Sequence, residues 1–313
     1  MNFRYIALSQ SLLIMFFTFF GIWIIFMTKK RKSRHQNVTS KRFTINQLLI
    51  LALFCAHFLV GFSRFSYHVM VLSFGKNKLA QIFDLGLMFF VGIEIIFTTF
   101  IPIERYFTIR FPFHFVANET FYRKLYMIIA PLTFVLLIGG LMYVFGFIIP
   151  VAFNMLGVLL ILVCNFLLFR IIRQQTKKII ATTVDKAAAV ISTTSSRQKD
   201  DLENRCKENE ENRRQKLQRR SFKICAFMTL TYVFLWIPYF ILRFLYDSNR
   251  DLYRMYFEII SVLAFLNPII DVLIYLSWNT DTRKTLKSIF CKGKSSVRES
   301  SQVTNTTTAF QDY

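Results

Sequence analysis

The sequence predicts an all-α membrane protein: a seven-transmembrane helix bundle with a short amphipathic helix after the seventh span. Three observations predict it. Of 313 residues, 54% are hydrophobic and 37 are Phe, above the roughly 45–50% apolar content of a soluble domain. These residues gather into seven blocks, at about 5–28, 45–71, 79–108, 125–147, 149–172, 221–245 and 252–277. Each is long enough for the roughly 20 helical residues that cross a bilayer. Finally, 32 of the 39 Lys and Arg fall in the segments 29–44, 105–124, 170–223 and 283–298, all on one side of such a bundle.

The elements follow in order. The apolar core of the first block, 6–27, exceeds the roughly 7–15 residues of a signal-peptide core. Its basic cluster "KKRKSRH" follows the apolar run instead of preceding it, so the segment reads as a retained signal-anchor. The second span contains "LALFCAH", and the third carries Asp84, Glu94 and Glu104. Spans four and five leave only a tight turn near Pro150, and the other loops on that side are also short. A ligand must therefore bind among the helices or at their outer ends. On the other side, 173–220 is a long polar loop, expected to be partly disordered. Its charged second part lacks Gly and Pro and is able to extend the sixth helix. Residues 1–291 make up the membrane domain, and 292–313 form a disordered Ser/Thr-rich tail.

The net charge of +21 reports topology, not nucleic acid. Basic residues flanking spans stay in the cytoplasm, which puts the amino terminus outside and the carboxyl terminus inside. Of the five cysteines, at 55, 164, 206, 225 and 291, none falls in an expected outer loop, so no extracellular disulfide is expected. The sequons at Asn37, Asn118 and Asn305 fall inside and should carry no glycan. No internal repeat of the kind found in many transporters is visible. Nor is there a Gly-x-Ser-x-Gly, His-Glu-x-x-His or Gly-rich phosphate loop, so neither an enzyme nor a cofactor is expected.

Three stretches carry chemistry. Glu104-Arg105-Tyr106 stands at the inner end of the third span, where a cation reaches water and a neighbouring carboxylate offsets its charge. The sixth span contains "TYVFLWIPYF", with Tyr232, and Trp236 two residues before Pro238. A mid-helix proline removes a backbone hydrogen bond and kinks the helix beside a large ring. The seventh span, "FLNPIIDVLIYLSWNTDTRKTLKSIFC", adds a second kink at Pro268, the polar residues Asn267 and Asp271, and Tyr275 near the inner face.

Together these stretches resemble the rhodopsin-like (class A type) G-protein-coupled receptors, over residues 5–291. "ERYFTIRFP" (104–112) resembles the Asp/Glu-Arg-Tyr motif, and "FLWIP" (234–238) the Cys-Trp-x-Pro motif with Leu235 for cysteine. "DVLIY" (271–275) resembles Asn-Pro-x-x-Tyr with Asp271 for asparagine and Val272 for proline. Asn279 and Arg283 fit the start of the helix that lies along the membrane. The chain departs from the family in lacking a second-span aspartate, where Ala56 or His57 stands, and in lacking the cysteine pair of the third span and second outer loop. Phe richness and the altered seventh-span motif are similar to the divergent chemosensory serpentine receptors of nematodes. The resemblance implies a multi-pass plasma-membrane receptor that binds a small or lipophilic extracellular ligand. It further implies activation of a heterotrimeric G protein and control by kinases and an arrestin-like partner. Glu104, Arg105, Tyr106, Tyr232, Trp236, Pro238, Asn267, Pro268, Asp271 and Tyr275 would form the switch.

Buried ionisable groups remain. A carboxylate at mid-membrane costs roughly 2.5–3.5 kcal/mol by insertion scales, so its presence suggests a use. Glu94 lies about 15 Å along the helix from Glu104. With Asp271 it is a candidate sodium site, or else a protonated acid bonded to a neighbouring helix, and His57 is able to join the same cluster. Asp84 and Trp236 are candidate ligand contacts, Asp84 equally a surface charge. A rival reading makes Glu94, Asp271 and His57 an ion or transport pathway, and a third a receptor-like scaffold that no longer signals. After Asn279, Leu286, Ile289 and Phe290 form an apolar stripe among Arg283, Lys284 and Lys287, suited to an anionic leaflet. Cys291 is a candidate palmitoylation site, and Ser295, Ser296, Ser300, Ser301 and Thr304 are candidate phosphorylation sites.

Overall fold

The computed structural model describes residues 3–35, 45–75, 77–110, 129, 133, 155–171, 173–174, 222–242 and 250–290. Every element among them is helical, and five helices are long and apolar enough to cross a membrane. The bulk of the expected fourth span and of the 173–220 loop lies outside the described residues. So do Cys291 and the tail with Ser295, Ser296, Ser300, Ser301 and Thr304.

The first three spans are single helices, Phe3–His35, Ile45–Phe74 and Lys78–Arg110. The first continues beyond its apolar block because the basic segment after it contains good helix formers and no Gly or Pro. The second packs along both the first and the third. Its approach to the first is close: a Cβ added at Gly61 would lie 2.9 Å from Ile14 Cγ2. The fifth span is seen as the apolar helix Met155–Ile171, the sixth as Phe222–Leu242, which runs through Pro238. At Gly157 an added Cβ would lie 2.5 Å from Ile95 Cγ2 on the third helix, so only hydrogen fits there.

The seventh span is two helices, Arg250–Ala264 and Asn267–Trp278, separated at Phe265 and Leu266. Pro268 has no N–H for the Ala264 carbonyl and its ring crowds that carbonyl, so the break falls one turn before the proline. Leu266 N–H donates instead to Leu263 O at 3.0 Å, a tighter turn. After Trp278 the Asn279 side chain caps the terminal helix Thr280–Phe290, accepting from Asp281 N–H at 3.0 Å. Arg31 Nη1 donates to Lys284 O at 2.6 Å and ties the first helix to this segment. Leu286 and Ile289 pack against the bundle, whereas Phe290 is exposed with Arg283, Lys284 and Lys287. The expected stripe is thus split between the protein and its surroundings.

Two apolar clusters fill the bundle. One, toward the Arg105 end, joins Ile24, Leu49, Phe54, Ile101, Met228 and Tyr275. The other, toward the amino-terminal end, joins Ile14, Val60, Val91, Trp236, Tyr239 and Phe265. Outward-facing Phe16, Phe19, Phe166 and Phe234 are exposed, as a lipid-facing surface requires.

Candidate functional site

Between the two clusters lies a thin polar layer contributed by the second, third and seventh helices. His57, Glu94, Asn267 and Asp271 are all fully buried there. His57 Nδ1 is 3.5 Å from Glu94 Oε2 and its Nε2 is 3.3 Å from Asp271 Oδ2. These are ion-pair distances without hydrogen-bond alignment, because both ring nitrogens lack an aligned partner. Asn267 Nδ2 donates to Glu94 Oε1 and to Asp271 Oδ2, each at 3.1 Å. One imidazole and one amide therefore bridge two carboxylates. Two anions this close in a medium of low dielectric need a proton or a cation between them. Here the imidazole stands between them.

Glu94 and Asp271, the expected sodium pair, converge with the His57 ring between them. The layer also decides between Ala56 and His57: Ala56 belongs to the apolar cluster, and His57 takes the polar position.

The aromatic element of the sixth helix sits on the amino-terminal side of this layer. Trp236 stacks with Tyr232 at 5.7 Å and Phe240 at 5.5 Å, and meets Phe265 edge-on at 5.4 Å. Phe265 occupies the break in the seventh span, so the ring beside Pro238 packs against the second helical interruption. Trp236 and Tyr232 are fully buried, and the Trp236 Nε1 and Tyr232 hydroxyl have no hydrogen-bond partner among the described residues.

On the other side, His57 stacks on Phe54 at 6.2 Å, and Phe54 meets Tyr275 edge-on at 5.6 Å. Arg105 acts electrostatically on Tyr275 and on Cys225 of the sixth helix. Arg105 Nε is 3.5 Å from Glu104 Oε2, with the side chains 15% and 7% exposed. Thr108 Oγ1 donates to Glu104 Oε1 at 3.0 Å and fixes the carboxylate. Tyr106 is half-buried and turned against Phe107. Pro102 lies inside the third helix between Glu94 and Arg105, and Thr98 and Thr99 return their hydroxyls to the carbonyls of Glu94 and Ile95 at 2.8 Å. Such back-bonding softens a helix near a proline.

The bundle thus unites Glu94, Asn267 and Asp271, and places Tyr232, Trp236 and Pro238 above them and Arg105 and Tyr275 below. Asp84 stands apart on the third helix, half-buried and engaged in a contact of its own. One residue escaped the sequence reading. Arg64, one of the seven Lys and Arg that fall outside the four basic segments and so on the outer side, lies inside the bundle at 3% exposure, its guanidinium 3.7 Å from the centre of the Phe265 ring. A lone arginine within an apolar block was the signal for it.

Residues 141–275 match the family described as 7 transmembrane receptor (rhodopsin family). The match includes the "FLWIP" and "DVLIY" stretches and ends at Tyr275; the Glu104 triplet precedes its start and lies outside it. No curated protein matches the chain.

Proposed function

Starting from the chain as a seven-transmembrane receptor of the rhodopsin family, we propose that it converts binding of a small extracellular ligand into activation of a heterotrimeric G protein. The amino-terminal end faces outside and the Arg105 end the cytoplasm at the plasma membrane, and the ligand is a chemosensory signal. The observation that carries the reading is a series of buried groups through the bundle: Trp236 packed on Phe265, then the polar layer, Phe54 touching both His57 and Tyr275, and Arg105 within electrostatic reach of Tyr275. It spans the bundle from a candidate ligand end to a candidate partner end. Binding biases a two-state bundle in which the sixth helix swings about Pro238. Arg105 then exchanges Glu104 for new partners beside Tyr275, and kinases and an arrestin-like protein end the signal through the tail. A conduction pathway has less support, since the polar layer is one residue thick between two apolar clusters. Nucleotide exchange on a co-reconstituted G protein, with a panel of small ligands and several G-protein classes, tests the reading. Ligand-dependent exchange by the wild type, absent in Arg105→Ala, is the expected result. No exchange with any class points to the scaffold reading.

A further inference from the structure

Arg64 is the least explained charge in the molecule. Guanidinium groups inside proteins are ordinarily paired with a carboxylate, because removing the ion from water costs several kcal/mol by general estimates. The Arg64 side chain is buried, yet among the described residues its Nη1 has no hydrogen-bond partner and no carboxylate lies at ion-pair distance. What it does have is the Phe265 ring beneath it at 3.7 Å. A cation over an aromatic face is attracted by the negative face of the ring, which holds the guanidinium in place but satisfies none of its donors.

The neighbourhood repeats the imbalance. Trp236 and Tyr239 both contact the same Phe265 ring, at 5.4 and 6.2 Å. The unpaired polar groups in this cluster are Arg64 Nη1, Trp236 Nε1 and the Tyr232 hydroxyl. All three are able to donate, and the first two only donate. The cluster thus presents donors, with Tyr239 in electrostatic reach of Arg64. It is also approached by positive charge: exposed Arg4 and buried Arg64 both act electrostatically on half-buried His68, one helical turn from Arg64 toward the amino-terminal end. Such a gradient concentrates anions at the entrance and draws them inward.

We propose that Arg64 is the anchor for a small organic anion: a carboxylate with an aromatic or aliphatic body. The guanidinium fork takes the two carboxylate oxygens, while Trp236, Tyr239 and Phe265 pack against the body. A single positive group in an apolar setting matches one negative charge and leaves a dianion undercompensated. The proposal deepens the receptor reading and rests on it, since it names the ligand class for the end that reading assigns to ligand.

The test needs no G protein, so its failure is separable from a failure of the signalling reading. The full-length protein, purified in a neutral detergent, is thermally unfolded with acetate, 3-phenylpropanoate or decanoate and, in parallel, with the matching amides. At least one carboxylate should raise the unfolding midpoint saturably, on the order of 3 °C, while its amide has no effect and Arg64→Gln removes the shift. Arg64→Lys, which keeps the charge and loses the fork, should weaken the response at least roughly tenfold and serves where Arg64→Gln does not fold. His68→Gln should weaken it less. No shift with any carboxylate, equal shifts with acid and amide, or a shift that survives in both Arg64 variants would overturn the proposal. So would an Arg64-dependent shift from phosphatidylglycerol alone, which would assign the site to a membrane lipid.

Discussion

The polar layer and the Arg105 end use the same contact, a nitrogen base 3.3–3.5 Å from a carboxylate oxygen without hydrogen-bond alignment. They differ in surroundings. His57, Glu94 and Asp271 are fully enclosed, whereas Arg105 retains 15% of its side-chain exposure and Glu104 7%. An enclosed pair that loses one partner leaves a charge with nowhere to go, at a cost of about 3–5 kcal/mol. Arg105 and Glu104 keep a little exposure, although the two paired atoms themselves are buried. The contrast teaches that one chemistry performs two jobs: the enclosed cluster pins helices two, three and seven, and the boundary pair is free to trade partners.

Breaking the enclosed side gives the largest expected effect. His57→Leu should lower stability by about 3–5 kcal/mol, read as thermal unfolding of the purified receptor. Adding Glu94→Gln and Asp271→Asn should restore most of it, because the uncompensated acids are then gone. A triple variant no better than the single one would mean that shape, not charge, sets the layer. At the Arg105 end the readout is signalling: Arg105→Ala should abolish nucleotide exchange while leaving surface expression and ligand binding largely intact. Normal exchange in this variant would reduce the triplet to an anchor at the membrane surface.

A milder change tests whether the two regions communicate. Phe54 touches both His57 and Tyr275, and Phe54→Leu should remove about 0.5–1.5 kcal/mol of aromatic contact. A double-mutant cycle between His57 and Tyr275 should show coupling that Phe54→Leu diminishes. The smallest effect is expected beyond both regions. Ending the chain after Cys291 should leave unfolding and ligand affinity unchanged and prolong signalling in cells, as a tail that receives phosphates would. Unaltered desensitisation would remove the tail from the account.

Much of this was legible because it is local. Block lengths of apolar residues give spans, and "FLWIP" and "DVLIY" lie within the stretch that matches the rhodopsin family. Convergence of Glu94 and Asp271 was also readable, from their depth. That His57 would stand between them was not, because it depends on the rotation of three helices relative to one another. Arg64 was misplaced for the same reason: a sequence position gives height along a span but not which way the side chain turns. The break before Pro268 was displaced by one turn, since a proline acts on the carbonyl four residues earlier, not on its own position.

The contact between Gly157 and Ile95 has a mechanical consequence. Ile95 follows Glu94 directly, and the gap opposite it admits a hydrogen atom but not a methyl group. At that point the fifth and third helices have no slack, so they behave as a fulcrum and its beam. A tilt of the fifth helix cannot be absorbed by compression there. It must reappear as displacement of the third-helix backbone beside one of the two buried acids. The bundle thus has a second lever onto its polar layer, operated from a helix that contributes no side chain to it.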